Sequence, residues 1–82
     1  MLKIILAQNR QRAVEGLKLL FDNIQILENS KVQYEMTQIE KYKNQIELSK
    51  KILEKEDLTM PQIDDILTFI AITNEIIMNK FS

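Results

Sequence analysis

Apolar side chains along the first third of the chain recur at alternating three- and four-residue steps: Leu2, Leu6, Ala13, Leu17, Leu20, Ile24 and Leu27, with Asn9 the polar interruption. That spacing gathers them on one side of an α-helix, and it predicts a first helix over residues 2–28. Val14 and Phe21 flank the stripe on one side, Leu19 and Ile26 on the other, so the apolar surface is wider than one neighbour covers. Gly16 shares the face of Ala13 and Leu20. It offers a place where another helix can approach closely, at a helix-propensity cost of about 1 kcal/mol relative to Ala. Reading residues 2–6 as a short strand is the alternative, but a lone strand needs a pairing partner.

The stripe loses phase around Glu28-Asn29-Ser30-Lys31, where continued periodicity would put Lys31 in the seam. Ser30 and Gln33 have the spacing of a capping box, which predicts a sharp break and a second helix over residues 31–55. Within it Val32, Ile39, Ile46 and Leu53 repeat every seven residues, Tyr42 holds a d-like position, and Met36 lies at the margin. Glu35, Ser49 and Glu56 occupy the remaining d-like positions, so this is a weak coiled-coil seam beside one that is apolar at both a and d. The alternative is an uninterrupted helix over residues 2–55 folded against the last one.

After the charged linker Glu54-Lys55-Glu56-Asp57, several start signals coincide. Thr59 and Gln62 form a capping box, and Leu58 and Ile63 are placed to close a hydrophobic staple across it. Pro61 falls in the first turn, where its missing N–H costs nothing, and Asp64 and Asp65 follow near the positive end of the helix dipole. These signals predict a third helix over residues 60–81. Met60, Ile63, Ile66, Leu67, Ile70, Ala71, Ile77, Met78 and Phe81 project to one broad inward face, interrupted by Asn74. Phe69, Ile72 and Ile76 make a second stripe on nearly the opposite side. It is either a rim covered by neighbouring loops or a surface for another protein, since contiguous exposed apolar patches mark interaction sites.

Composition narrows this to one class. With 82 residues, one Gly and one Pro, the chain is a single all-α domain, residues 1–82, near the lower size limit for a self-supporting core. A three-helix bundle that self-associates is the expected architecture. The absence of cysteine removes disulfides and thiolate metal sites and makes the cytoplasm the default compartment. The apolar opening is cut short by Gln8-Asn9-Arg10-Gln11-Arg12, too soon for a signal-peptide core. No uncharged run approaches the roughly 20 residues of a membrane span.

The chain also lacks histidine and has no glycine-rich loop, which excludes Ser-His and Cys-His catalysis and a phosphate-cradling turn. Asp57, Asp64 and Asp65 lack the spacing of an oxygen-ligand calcium loop and read as cap and loop charges. The expectation is therefore no enzyme, no catalytic residue, no cofactor, no metal and no small-molecule substrate. Formal net charge is −1, with cations in excess at the start and carboxylates at the end. Lys41, Lys43, Lys50, Lys51 and Lys55 are interleaved with Glu40, Glu47 and Glu54, which cancels most of a nucleic-acid-binding field. Arg10 and Arg12 remain candidate phosphate contacts.

The sequence thus reads as a non-enzymatic interaction or regulatory protein that binds a protein partner or a second copy, as in a homodimer, through apolar helix faces. Phe69, Ile72, Ile76, Val14 and Phe21 are the candidate contact residues. A small structural subunit of a nucleoprotein or virion assembly is the alternative, with a nucleic-acid-binding accessory protein third. The abundance of Ile, Lys and Asn points to an AT-rich, bacterial or phage source. No motif is specific enough to tie the chain to a family.

Overall fold

A computed structural model describes residues 2–29 and 36–81. Three helices account for nearly all of it: α1 over Leu2–Asn29, α2 over Met36–Leu53 and α3 over Met60–Phe81. The break after α1, the Ser30/Gln33 box, the predicted start at residue 31 and Val32 at the head of the seam lie outside the described residues. At its other end α2 stops two residues before the predicted boundary. Its last turn tightens, with Glu54 N donating to both Lys50 O (3.2 Å) and Lys51 O (3.3 Å) and Lys55 N donating to Ile52 O (3.2 Å). That i→i−3 closure ends the helix.

Cross-helix contacts give the topology. Glu28 pairs with Lys43, and Lys50 lies over the Phe21 ring, 5.6 Å from its centroid. Earlier residues of α1 thus meet later residues of α2, so the two are antiparallel. Between α1 and α3 the sequence offset is constant instead. Asn9 Nδ2 donates to Met60 Sδ at 3.9 Å and Asn23 Nδ2 to Asn74 Oδ1 at 3.4 Å, both 51 residues apart, so α1 and α3 run parallel. The bundle goes up, down, up, with α1 touching both other helices. A continuous helix over residues 2–55 would be about 80 Å long, whereas the molecule is 46 Å in its longest dimension.

Of the α1 stripe, Ala13, Leu17, Leu20, Ile24 and Leu27 are in the core and Leu6 is packed at its edge, as the periodicity predicts; the side chain of Leu2 lies outside the described residues. From α2 come Ile39, Ile46 and Leu53, the heptad positions, together with Ser49. Asn9 and Asn74, the polar breaks in two apolar stripes, are where the α1–α3 register is hydrogen-bonded. Gly16 marks the close approach: a Cβ there would stand 3.1 Å from Ile70 Cδ1. Gly16→Ala gains helix propensity while pushing only the tip of a flexible side chain, so it should leave stability within about 1 kcal/mol. Gly16→Leu should cost about 1–3 kcal/mol by overpacking, and urea denaturation of the two variants measures the difference.

The start of α3 falls where predicted and the Gln62 arm of the capping box is in place, while the Thr59 hydroxyl, expected to accept from the Gln62 amide, donates to the Gln62 side chain. Gln62 Oε1 accepts from Thr59 N at 2.9 Å and also from the Thr59 hydroxyl at 3.2 Å. Ile63 N then donates to Thr59 O at 3.2 Å, the first intrahelical bond. Leu58 and Ile63 are both in the core, whereas Asp64 and Asp65 fall in the second turn rather than the first. Because both Thr59 donors meet one oxygen, Gln62→Ala should destabilise by about 1 kcal/mol. Gln62→Glu, with a stronger acceptor near the helix N-terminus, should be at least as stable as the parent; thermal unfolding tests both.

The inward face of α3 differs from the expectation. Ile63, Ile66, Ile70, Thr73 and Ile77 are buried, while Ala71 is exposed and Met78 is 63% exposed. The face is turned by roughly 50° from the predicted one, toward Phe69, which packs against the core. The physical cause is α3's second neighbour. Packing against α2 as well as α1 draws in Phe69 and Thr73, and little is lost by leaving Ala71 outside. Thr73 contributes a methyl group, and among the described residues no buried side-chain nitrogen or oxygen lacks a hydrogen-bond partner.

Candidate interaction surfaces

The residues singled out from the sequence gather into two grooves. Val14 and Phe21 line the first, between α1 and the end of α2, with Leu17 and Leu53 as its floor and a volume of about 440 Å³. Arg10, Lys18, Lys50 and Glu54 rim it. The groove runs on past Arg10 and Val14 toward the start of α1, where Lys3, Lys55 and Glu56 add to the rim. Five cations, one of them Lys50 paired with Glu47 at 3.5 Å, against Glu54 and Glu56 still leave this surface positive, in a molecule whose formal net charge is −1. Val14 is 45% exposed; Phe21 is half-buried beneath the Lys50 ammonium, at cation–π distance.

Phe69, Ile72 and Ile76 line the second groove, about 260 Å³, against Tyr42, Lys41 and Gln45 of α2. The three are not equivalent. Ile72 is 54% exposed, Ile76 is half-buried, and Phe69 is half-buried with its ring against the core. The stripe is therefore the wall of a furrow whose inner edge belongs to the fold and whose outer edge is Ile72.

Arg10 and Arg12 do not converge. Two residues apart on a helix, they point to different sides: Arg10 enters the first groove, and Arg12 stands exposed on the side of α1 away from the core. Among the described residues no group of three or more acidic side chains is placed to hold a metal ion, and no helix is long and apolar enough to cross a membrane.

A third surface is less obvious from the sequence. On α1, outside the stripe of Leu17, Leu20 and Ile24, the side chains of Ile4, Leu19 and Ile26 on the far side and Ile5 on the flank toward α3 are all exposed, Leu19 at 63% and Ile26 at 58%. Leu19 and Ile26 stand out as flanks of the stripe, but the heptad spacing Ile5, Arg12, Leu19, Ile26 is masked by the stronger core periodicity beside it. Leu48 and Met36 on α2 and Met78 on α3 are the other large exposed apolar residues among those described. No family model, curated protein or solved structure matches the chain.

Proposed function

We propose that this chain is a non-enzymatic protein-binding module that presents apolar helix faces to a protein partner or to a second copy of itself. The observation that carries the proposal is the coexistence of a finished core with a set of large apolar residues left outside it. Ala13, Leu17, Leu20, Ile24, Ile46 and Ile63 are essentially sealed from solvent. Exposed apolar residues on such a bundle are therefore surplus to folding, and their grouping on helix faces and groove walls is the pattern of an interaction site. The α1–α2 groove would take an apolar helix edge, and its basic rim favours a partner carrying carboxylates.

A photo-reactive amino acid placed singly at Val14, Leu19, Ile26 or Ile72, in cells that naturally make the protein, tests this reading. Protein adducts should form from these positions and not from Asn44 or Thr68, which are exposed and polar. Equal adduct formation from both sets, or none from either, would overturn it.

A further inference from the structure

We infer that the outer face of α1 pairs with the same face of a second copy, antiparallel, about a two-fold axis beside Glu15 and level with the Glu15–Gly16 peptide; this rests on the protein-binding reading above. Ile5, Arg12, Leu19 and Ile26 lie seven residues apart along α1, outside the core stripe, and all four are exposed. A seven-residue repeat keeps one line of side chains facing a partner helix. The line spans about 32 Å at 1.5 Å per residue.

The direction follows from the charges. In a parallel pairing Arg12 meets Arg12 of the other copy, and Glu15 and Asp22 meet their own counterparts, so every layer with a charge is repulsive. In the antiparallel pairing centred between residues 15 and 16, Ile5 lies opposite Ile26 of the other copy and Arg12 opposite its Leu19; the two Glu15 side chains meet at the axis, the one like-charge contact, and are offset by the two arginines. Glu15 and Asp22, one turn before and after Leu19, then bracket the Arg12 guanidinium. The two-fold axis makes each contact twice, as a self-complementary interface requires. One helix pair of this length lies at the small end of stable interfaces, so association is reversible at micromolar concentrations.

Sedimentation velocity of the full chain from micromolar to millimolar concentration tests the pairing, with helix content of each variant checked by circular dichroism. A monomer–dimer equilibrium is expected. Arg12→Glu should weaken it about tenfold or more, Leu19→Lys should abolish it, and Arg12→Glu with Glu15→Arg and Asp22→Arg should restore it. Because the chain has no cysteine, single introduced cysteines report direction. Glu15→Cys should form a disulfide-linked dimer on mild oxidation, while Ile5→Cys should link only when mixed with Ile26→Cys. Self-linking of Ile5→Cys would mean a parallel pairing and overturn the inference, as would a dimer indifferent to Arg12→Glu and Leu19→Lys. A strict monomer throughout also overturns it, and photo-adducts from Leu19 and Ile26 then separate loss of this pairing from loss of the protein-binding reading itself.

Discussion

Replacing Leu20 with alanine should cost about 2–5 kcal/mol of folding stability, whereas the same replacement at Leu19 should change it by less than about 0.5 kcal/mol. The two leucines are neighbours in one helix, with the same propensity and the same chemistry. Leu20 is fully buried and Leu19 is 63% exposed. A chain of 82 residues has a total stability of about 4–12 kcal/mol, so Leu20→Ala removes a large share of it. The cost has two parts, lost transfer free energy and the cavity left where the core cannot collapse. Leu20 sits on the central helix, which touches both others, so the cavity is walled on both sides. Urea denaturation monitored by helix content gives both values directly. Equal losses would mean that Leu19 is also part of the fold.

The second large effect tests which way α3 faces. Thr73→Lys should destabilise by about 3 kcal/mol, because a residue 2% exposed would carry an ammonium into the base of the α2–α3 groove, beside Tyr42 and Lys41, losing hydration without gaining a partner. Met78→Lys, at a position 63% exposed, should be close to neutral. The contrast matters because the apolar pattern alone puts Met78 inside and leaves Thr73 out. Thermal unfolding of the two variants decides between the faces, and a larger loss at Met78 would return α3 to the orientation its hydropathy implies.

These two pairs of positions also mark how much of the molecule the sequence makes legible. The α1 stripe is readable because one line of residues with two neighbours dominates its period, and α2 because Ile39, Ile46 and Leu53 repeat strictly. The boundary at Thr59 is readable because capping chemistry is local: Thr59, Gln62 and Ile63 need only each other. The facing of α3 is not local. Its sequence is apolar around most of its circumference, so periodicity leaves a broad choice, and the packing of α2 against Phe69 and Thr73 makes it. The parallel offset of α1 and α3, shown by Asn9–Met60 and Asn23–Asn74, is likewise a tertiary fact written as two polar residues in apolar stripes.

For the interaction surfaces the limit is different. Val14 and Phe21 are legible as excess width on α1, but their joining with Arg10, Lys18 and Lys50 into one positive groove depends on the antiparallel return of α2. Phe69, Ile72 and Ile76 form a stripe by spacing alone, yet only the bundle distinguishes Phe69, packed on the core, from Ile72, open to solvent. The heptad line on the outside of α1 is weak in sequence because Arg12 interrupts it. Once the core is placed elsewhere, that arginine is the residue that orients a second copy.

That a finished three-helix fold leaves apolar faces over for another protein is tested most directly by unfolding one variant, Leu19→Glu with Ile26→Glu and Ile72→Glu, at a concentration where the parent is monomeric. The predicted result is a cooperative helical transition within about 1 kcal/mol of the parent, as expected for substitutions outside the core. Loss of helix content or of cooperativity would show that these side chains hold the bundle together, and would contradict the proposal that they are kept for a partner.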